Sequence, residues 1–106
     1  MNRKHICCLR LLSLSMYGPL HTHYVMSHIY KDMLTVFPAL VHLNDIGAAE
    51  QHYNALDIEN VSFQVWWANL REDACWFVID SIRTNILGPD APISDQEIAI
   101  ALGADA

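Results

Sequence analysis

The sequence predicts an all-α protein: a small single-domain bundle of about four to five helices spanning residues 1–106. Three observations predict it. Apolar residues recur at three- and four-residue spacing from Ser62 to Leu87, a second such stripe runs from Leu20 to Phe37, and Ser94 with Glu97 forms a helix-start signature.

Residues 1–25 read as a basic N-terminal extension. Arg3 and Lys4 precede an apolar run from Ile6 to Leu14 that Arg10 interrupts. No small-x-small cleavage pattern follows, and the run is too short for a bilayer, so neither a secretory leader nor a membrane span is expected. A soluble, cytoplasmic protein is the expectation. Met26, opening "MSHIYKD", would also serve as a start, which would leave the upstream residues without a role of their own.

The first helix is expected between Leu20 and Phe37, where Met26, Tyr30, Met33, Leu34 and Phe37 form one apolar stripe and Pro38 ends it. A weaker helix is expected from about Gly47 to Leu56. Over Ser62 to Leu87, Phe63, Trp67, Leu70, Ala74, Phe77, Val78, Ile82 and Ile86 keep helical spacing, and Gly88-Pro89 stops the chain. A competing pattern sits at its start. Val61, Phe63, Val65 and Trp67 alternate and are strand formers, which would give an α+β fold with a short strand near 61–67 and a helix capped by Asn69 with Glu72.

The last helix is expected from about Asp95 to Leu102. Ser94 and Glu97 have capping-box spacing, Ile93 and Ile98 are placed as a hydrophobic staple, and Gly103 suits a left-handed C-cap. "EIAIALG" resembles the first helix of a helix-turn-helix. That motif reads bases with its second helix, and only Ala104, Asp105 and Ala106 follow the glycine. No DNA-reading unit is expected.

Charge is divided unevenly. Residues 1–31 carry Arg3, Lys4, Arg10 and Lys31 and no acid, giving +4, whereas residues 32–106 carry twelve acids against Arg71 and Arg83, giving −10. Such a body repels nucleic-acid phosphate and attracts basic surfaces. The hydrophobic fraction of 53% rises to about 57% with the four glycines, against about 45–50% for ordinary soluble domains. With 17% charged residues, some apolar surface is left for a partner, either another protein or a second copy in a homodimer.

Cys7, Cys8 and Cys75 form no regular disulfide framework, and Cys75 in its apolar run is expected in the core. His21, His23 and His28, with Asp32, suggest a metal, but a structural zinc wants four converging ligands, and Cys7 and Cys8 would have to fold back across Gly18-Pro19 to complete the set. No metal site and no cofactor are expected. The four glycines are scattered, which leaves no phosphate-cradling loop, and a pairing of Cys75 with His42 or His52 has no support from spacing. The chain is not expected to be an enzyme.

Trp76 carries the sharpest functional expectation. At 100° per residue it falls outside the apolar stripe, among Asn69, Glu72, Asp73, Asp80 and Arg83. An exposed tryptophan ringed by acids has the make-up of a binding hot spot for a basic partner. The alternative is that another helix, such as the N-terminal one, covers Trp76 as part of the core. The expected site is therefore Trp76, Glu72, Asp73, Asp80 and Arg83. The expected function is a small acidic, non-enzymatic protein-binding module, with an inhibitor of a nucleic-acid-handling enzyme as its specific form. Immunity proteins and phage-encoded anti-defence inhibitors share that general physics by analogy only. Rival expectations are a metal-responsive regulator using the His/Cys cluster and a structural subunit of a larger assembly.

Overall fold

The computed structural model describes residues 20–101, with side chains from Tyr24 onward. Among them the chain forms four α-helices and no strand. They are α1 (Leu20–Val36), α2 (Ile46–Ala55), α3 (Phe63–Ile82) and α4 (Asp95–Ala101). A 3-10 turn (Pro38–His42) follows α1, and a π-helical turn (Arg83–Leu87) continues α3.

Each boundary has a local cause. Pro38 ends α1 as expected, but its fixed φ also starts the 3-10 turn, which the sequence reading did not anticipate. Asp45 caps α2 by accepting from the Ala48 N–H at 3.1 Å. Ser62 caps α3 by accepting from the Val65 N–H at 3.3 Å, so Phe63 to Trp67 enter a helix rather than the alternative strand. Ser94 accepts from the Glu97 N–H at 3.1 Å, which bears out the serine half of the expected box. The Gly103 cap lies outside the described residues.

The α-helix expected to run to Leu87 stops five residues short. Asn85 donates its side-chain amide to the Ser81 carbonyl at 2.8 Å, taking an acceptor that the α-helical ladder would use, and the Gly88 N–H reaches back five residues to the Arg83 carbonyl at 2.8 Å. Gly88 sits at φ 98°, which favours glycine. Ile86, expected in the core, is consequently 38% exposed.

The core is built around α3. α1 packs on it through Met26, Ile29 and Met33, all buried, which bears out the α1 stripe. Phe37 meets Phe77 edge-on at 6.0 Å. α4 packs on it through Ile98 and Ala99, and the 3-10 turn contributes Ala39 and Leu40 between α1 and α2. On α3 itself Trp67, Ala74, Cys75, Trp76, Val78, Ile79 and Ile82 are buried. At 100° per residue these span about 200° of the circumference, twice the stripe of an ordinary surface helix. Cys75 is buried in the core, as expected.

Ile79, fully buried within that arc, should be the most sensitive aliphatic position. Ile79→Ala is expected to cost about 2–5 kcal/mol and Ser62→Ala about 1 kcal/mol, both measured by urea denaturation.

Candidate functional site

The structure corrects the expected site at its centre. Trp76 is 7% exposed and belongs to the core, so it cannot anchor a partner from the surface of the free protein. Its position lies at the far edge of the α3 buried arc, not beyond it. Arg83 is seven residues on, about 20° away on the helix, and it too is turned inward. Its guanidinium donates to the Ala91 carbonyl at 3.1 Å, to the Ile93 carbonyl, and to the Asp95 carboxylate at 2.9 Å. This clamp holds the 91–95 segment and the start of α4 against the end of α3.

The acids of the same set have other settings. Glu72 is half-buried, Asp73 and Asp80 are exposed, and neither Glu72, Trp76 nor Asp80 lacks a partner within the chain. The sequence places the five residues on one side of α3, as expected, but they do not form an open, aromatic docking face.

An open aromatic face lies instead where α2 meets the first turns of α3. The α2–α3 connection turns through Asp57 and Asn60, both in the left-handed region (φ 54° and 67°) that Asp and Asn tolerate better than most residues. This folds Val61 back over α2, where the Tyr53 hydroxyl donates to the Val61 carbonyl. Tyr53 then lies 5.4 Å from Trp66 and 5.7 Å from Phe63. Trp66 and Trp67 stack at 6.0 Å, and His52 stacks on Trp66 at 6.3 Å with 26° between the planes. His42, from the 3-10 turn, meets His52 edge-on at 5.8 Å. Trp67 is the buried root of the cluster, and the other rings are half-buried.

Apolar side chains on and beside these elements stand out into solvent: Val41 is 67% exposed, Ile46 54%, Leu56 53% and Val65 52%. Asp45, Glu50, Asp57 and Glu59, on α2 and the loops at its two ends, are exposed as well. No Lys or Arg occurs between Lys31 and Arg71. The corner is thus an aromatic and aliphatic surface with a purely acidic rim.

Sequence reasoning missed this site. Its signal was the strand-like alternation of Val61, Phe63, Val65 and Trp67, which marks an aromatic cluster on a helix, together with the stretch free of bases. His42 and His52 entered only as partners for Cys75, which the structure instead buries in the core.

A second feature is a cleft of about 260 Å³ between α1 and the π turn, lined by Tyr24, Val25, His28, Ile29, Asp32 and Asn85. Its polar residues are all exposed to water, and the buried side-chain polar atom left without a partner among the described residues, Arg71 Nε, does not line it. Nothing in the cleft demands a ligand. His28 and Asp32 of the expected metal cluster lie here, while the side chains of His21 and His23, with Cys7 and Cys8, fall outside the described residues. Among the described residues no three His, Cys, Asp or Glu side chains converge as metal ligands, and no helix is long and apolar enough to cross a membrane.

No protein-family model, curated protein or solved structure matches this chain.

The corrected place of Trp76 has a direct consequence. Trp76→Ala is expected to lower stability by about 3–5 kcal/mol, as removal of a core aromatic does. Arg83→Met, which strips the 91–95 carbonyls of their donor, should cost about 1–3 kcal/mol. Thermal and urea unfolding of both variants check this, and a stability unchanged by Trp76→Ala would restore the surface assignment.

Proposed function

We propose that this protein is a small non-enzymatic binding module whose aromatic corner docks on a protein partner with a basic, partly apolar surface. The observation that carries the reading is the ring cluster of His52, Tyr53, Phe63 and Trp66, with exposed Val41, Ile46, Leu56 and Val65 on or beside the elements that build it and no Lys or Arg from residue 32 to 70. Single exposed apolar residues are ordinary, but a cluster around a half-buried tryptophan is the composition of an interface centre.

Charge selects the partner. Asp45, Glu50, Asp57 and Glu59 attract Lys and Arg and repel phosphate, so the reading excludes nucleic acid and anionic membrane as direct targets. It also disfavours a second copy, which would bring two surfaces of the same sign together. An inhibitor of a nucleic-acid-handling enzyme is the narrower form of the proposal, because such enzymes present basic surfaces to phosphate. In this reading the protein needs no cofactor.

Val65→Lys and Leu56→Lys test it, since both residues are more than half exposed and their replacement should leave the melting temperature nearly unchanged. Partners captured by the parent chain should be lost by either variant, with affinity weakened about thirtyfold or more, the equivalent of a hot-spot residue at about 2 kcal/mol. Asp73→Lys, seven residues and about 10 Å beyond Trp66 along α3, should retain them. Loss of the partner on Asp73→Lys, with retention on Val65→Lys, would overturn the proposal.

A further inference from the structure

Two titratable rings stand within this otherwise base-free surface. His52 lies on the face of Trp66 at 6.3 Å, and His42 touches His52 at 5.8 Å. Both are half-buried, so water and protons reach them. Resting on the docking reading above, we infer that binding at this corner is acid-sensitive: protonation of the His42–His52 pair releases a cationic partner.

The argument is one of charge count and position. With neutral rings, the corner carries four carboxylates from Asp45, Glu50, Asp57 and Glu59 and no cation. Two imidazolium charges halve that net charge, from −4 to −2, and place the new cations beside Trp66 rather than at the rim. Histidine is the side chain that ordinarily changes charge between about pH 5 and 8, while carboxylates and lysine keep theirs over most of that range.

The Trp66 face attracts an imidazolium on His52 through its ring quadrupole. The Phe63–Leu70 part of α3 carries no charged or titratable group, α2 carries Glu50 and Tyr53, and the 3-10 turn carries His42 alone. α1, packed behind the 3-10 turn, brings Lys31 and Asp32, which offset each other in charge. His52 thus meets the Trp66 face and the other histidine, within a stretch, residues 32–70, that holds Asp and Glu but no Lys or Arg. A partner's Lys or Arg seated on the corner is repelled by imidazolium charge there, so binding disfavours the protonated rings, and by linkage protonation of the rings weakens binding.

The test uses the full chain and a synthetic amphipathic helix of leucine and lysine as probe, with affinity followed by calorimetry from pH 8 to about 5.5. Affinity is expected to fall about tenfold or more over that range, with protons released on binding at intermediate pH. The His42→Gln, His52→Gln double variant should show one affinity ratio near unity between the two pH values, whatever its own affinity at pH 8. His28→Gln, a surface histidine of α1, should keep the full pH dependence. A flat profile in the parent chain, or an undiminished fall in the double variant, overturns the inference while leaving the docking site intact. Probe binding that Val65→Lys does not weaken overturns the docking reading itself, and the inference with it. Should the double variant unfold, the histidine ring-proton resonances of the parent chain decide. Titration of His42 and His52 must track the loss of probe, and titration that does not track it rejects the inference.

Discussion

The burial of α3 over about 200° of its circumference constrains every other element. A helix hidden that far needs cover from several sides, and the chain supplies it in pieces: α1 with the 3-10 turn, α2, and α4. Trp67, Ala74 and Val78 mark one edge of the buried arc and Trp76 the other. The arrangement explains why Trp76 is core and why Arg83, almost in line with it, is spent on tying down the 91–95 segment.

Cover of α3 is also uneven along its length, and the exposed corner follows from that. α3 has twenty residues and is about 30 Å long, whereas α4 has seven and reaches about 10 Å. Arg83 fixes the start of α4 at the far end of α3, so α4 cannot run back to the first turn. Val65 stands in line with Trp76 and Arg83 on the helix, yet it is 52% exposed where they are covered. On the other side, α2 reaches the first turns only through Tyr53 and His52 against Phe63 and Trp66. The apolar surface left there is a consequence of helix lengths, not of local polarity.

Much of the fold was legible because local signals and tertiary packing agree. The stripe of α1, the Ser94 cap and the core place of Cys75 all follow from spacing and composition, and the structure repeats them. The π turn was not legible, since it depends on one side-chain amide taking the Ser81 carbonyl. Trp76 was misplaced for a definite reason: the wheel argument assumes one stripe of about 100°, which holds for a helix packed on one side. A helix at the centre of a bundle breaks that assumption. The same wheel correctly separated Asp73 and Asp80, which are exposed, from the stripe. At the candidate site, the aromatics of 61–67 were visible in the sequence, but their joining with His42, His52 and Tyr53 rests on long-range packing that no spacing encodes.

The aromatic corner is suited to binding by its rigidity as well as its composition. A docking surface gives up affinity when its side chains must be frozen on contact, at about 0.5–1.5 kcal/mol for each flexible one. Here Trp66 is already held between His52, Tyr53, Phe63 and Trp67, and Tyr53 is fixed by its hydrogen bond to Val61. Val65, Val61 and Val41 are β-branched and have few rotamers to lose. Long flexible side chains are confined to the rim, where Glu50 and Glu59 can adjust to a partner's cations while the centre stays fixed. That division, a stiff apolar centre within an adaptable acidic edge, would let the corner bind through shape at its middle and select by charge at its border.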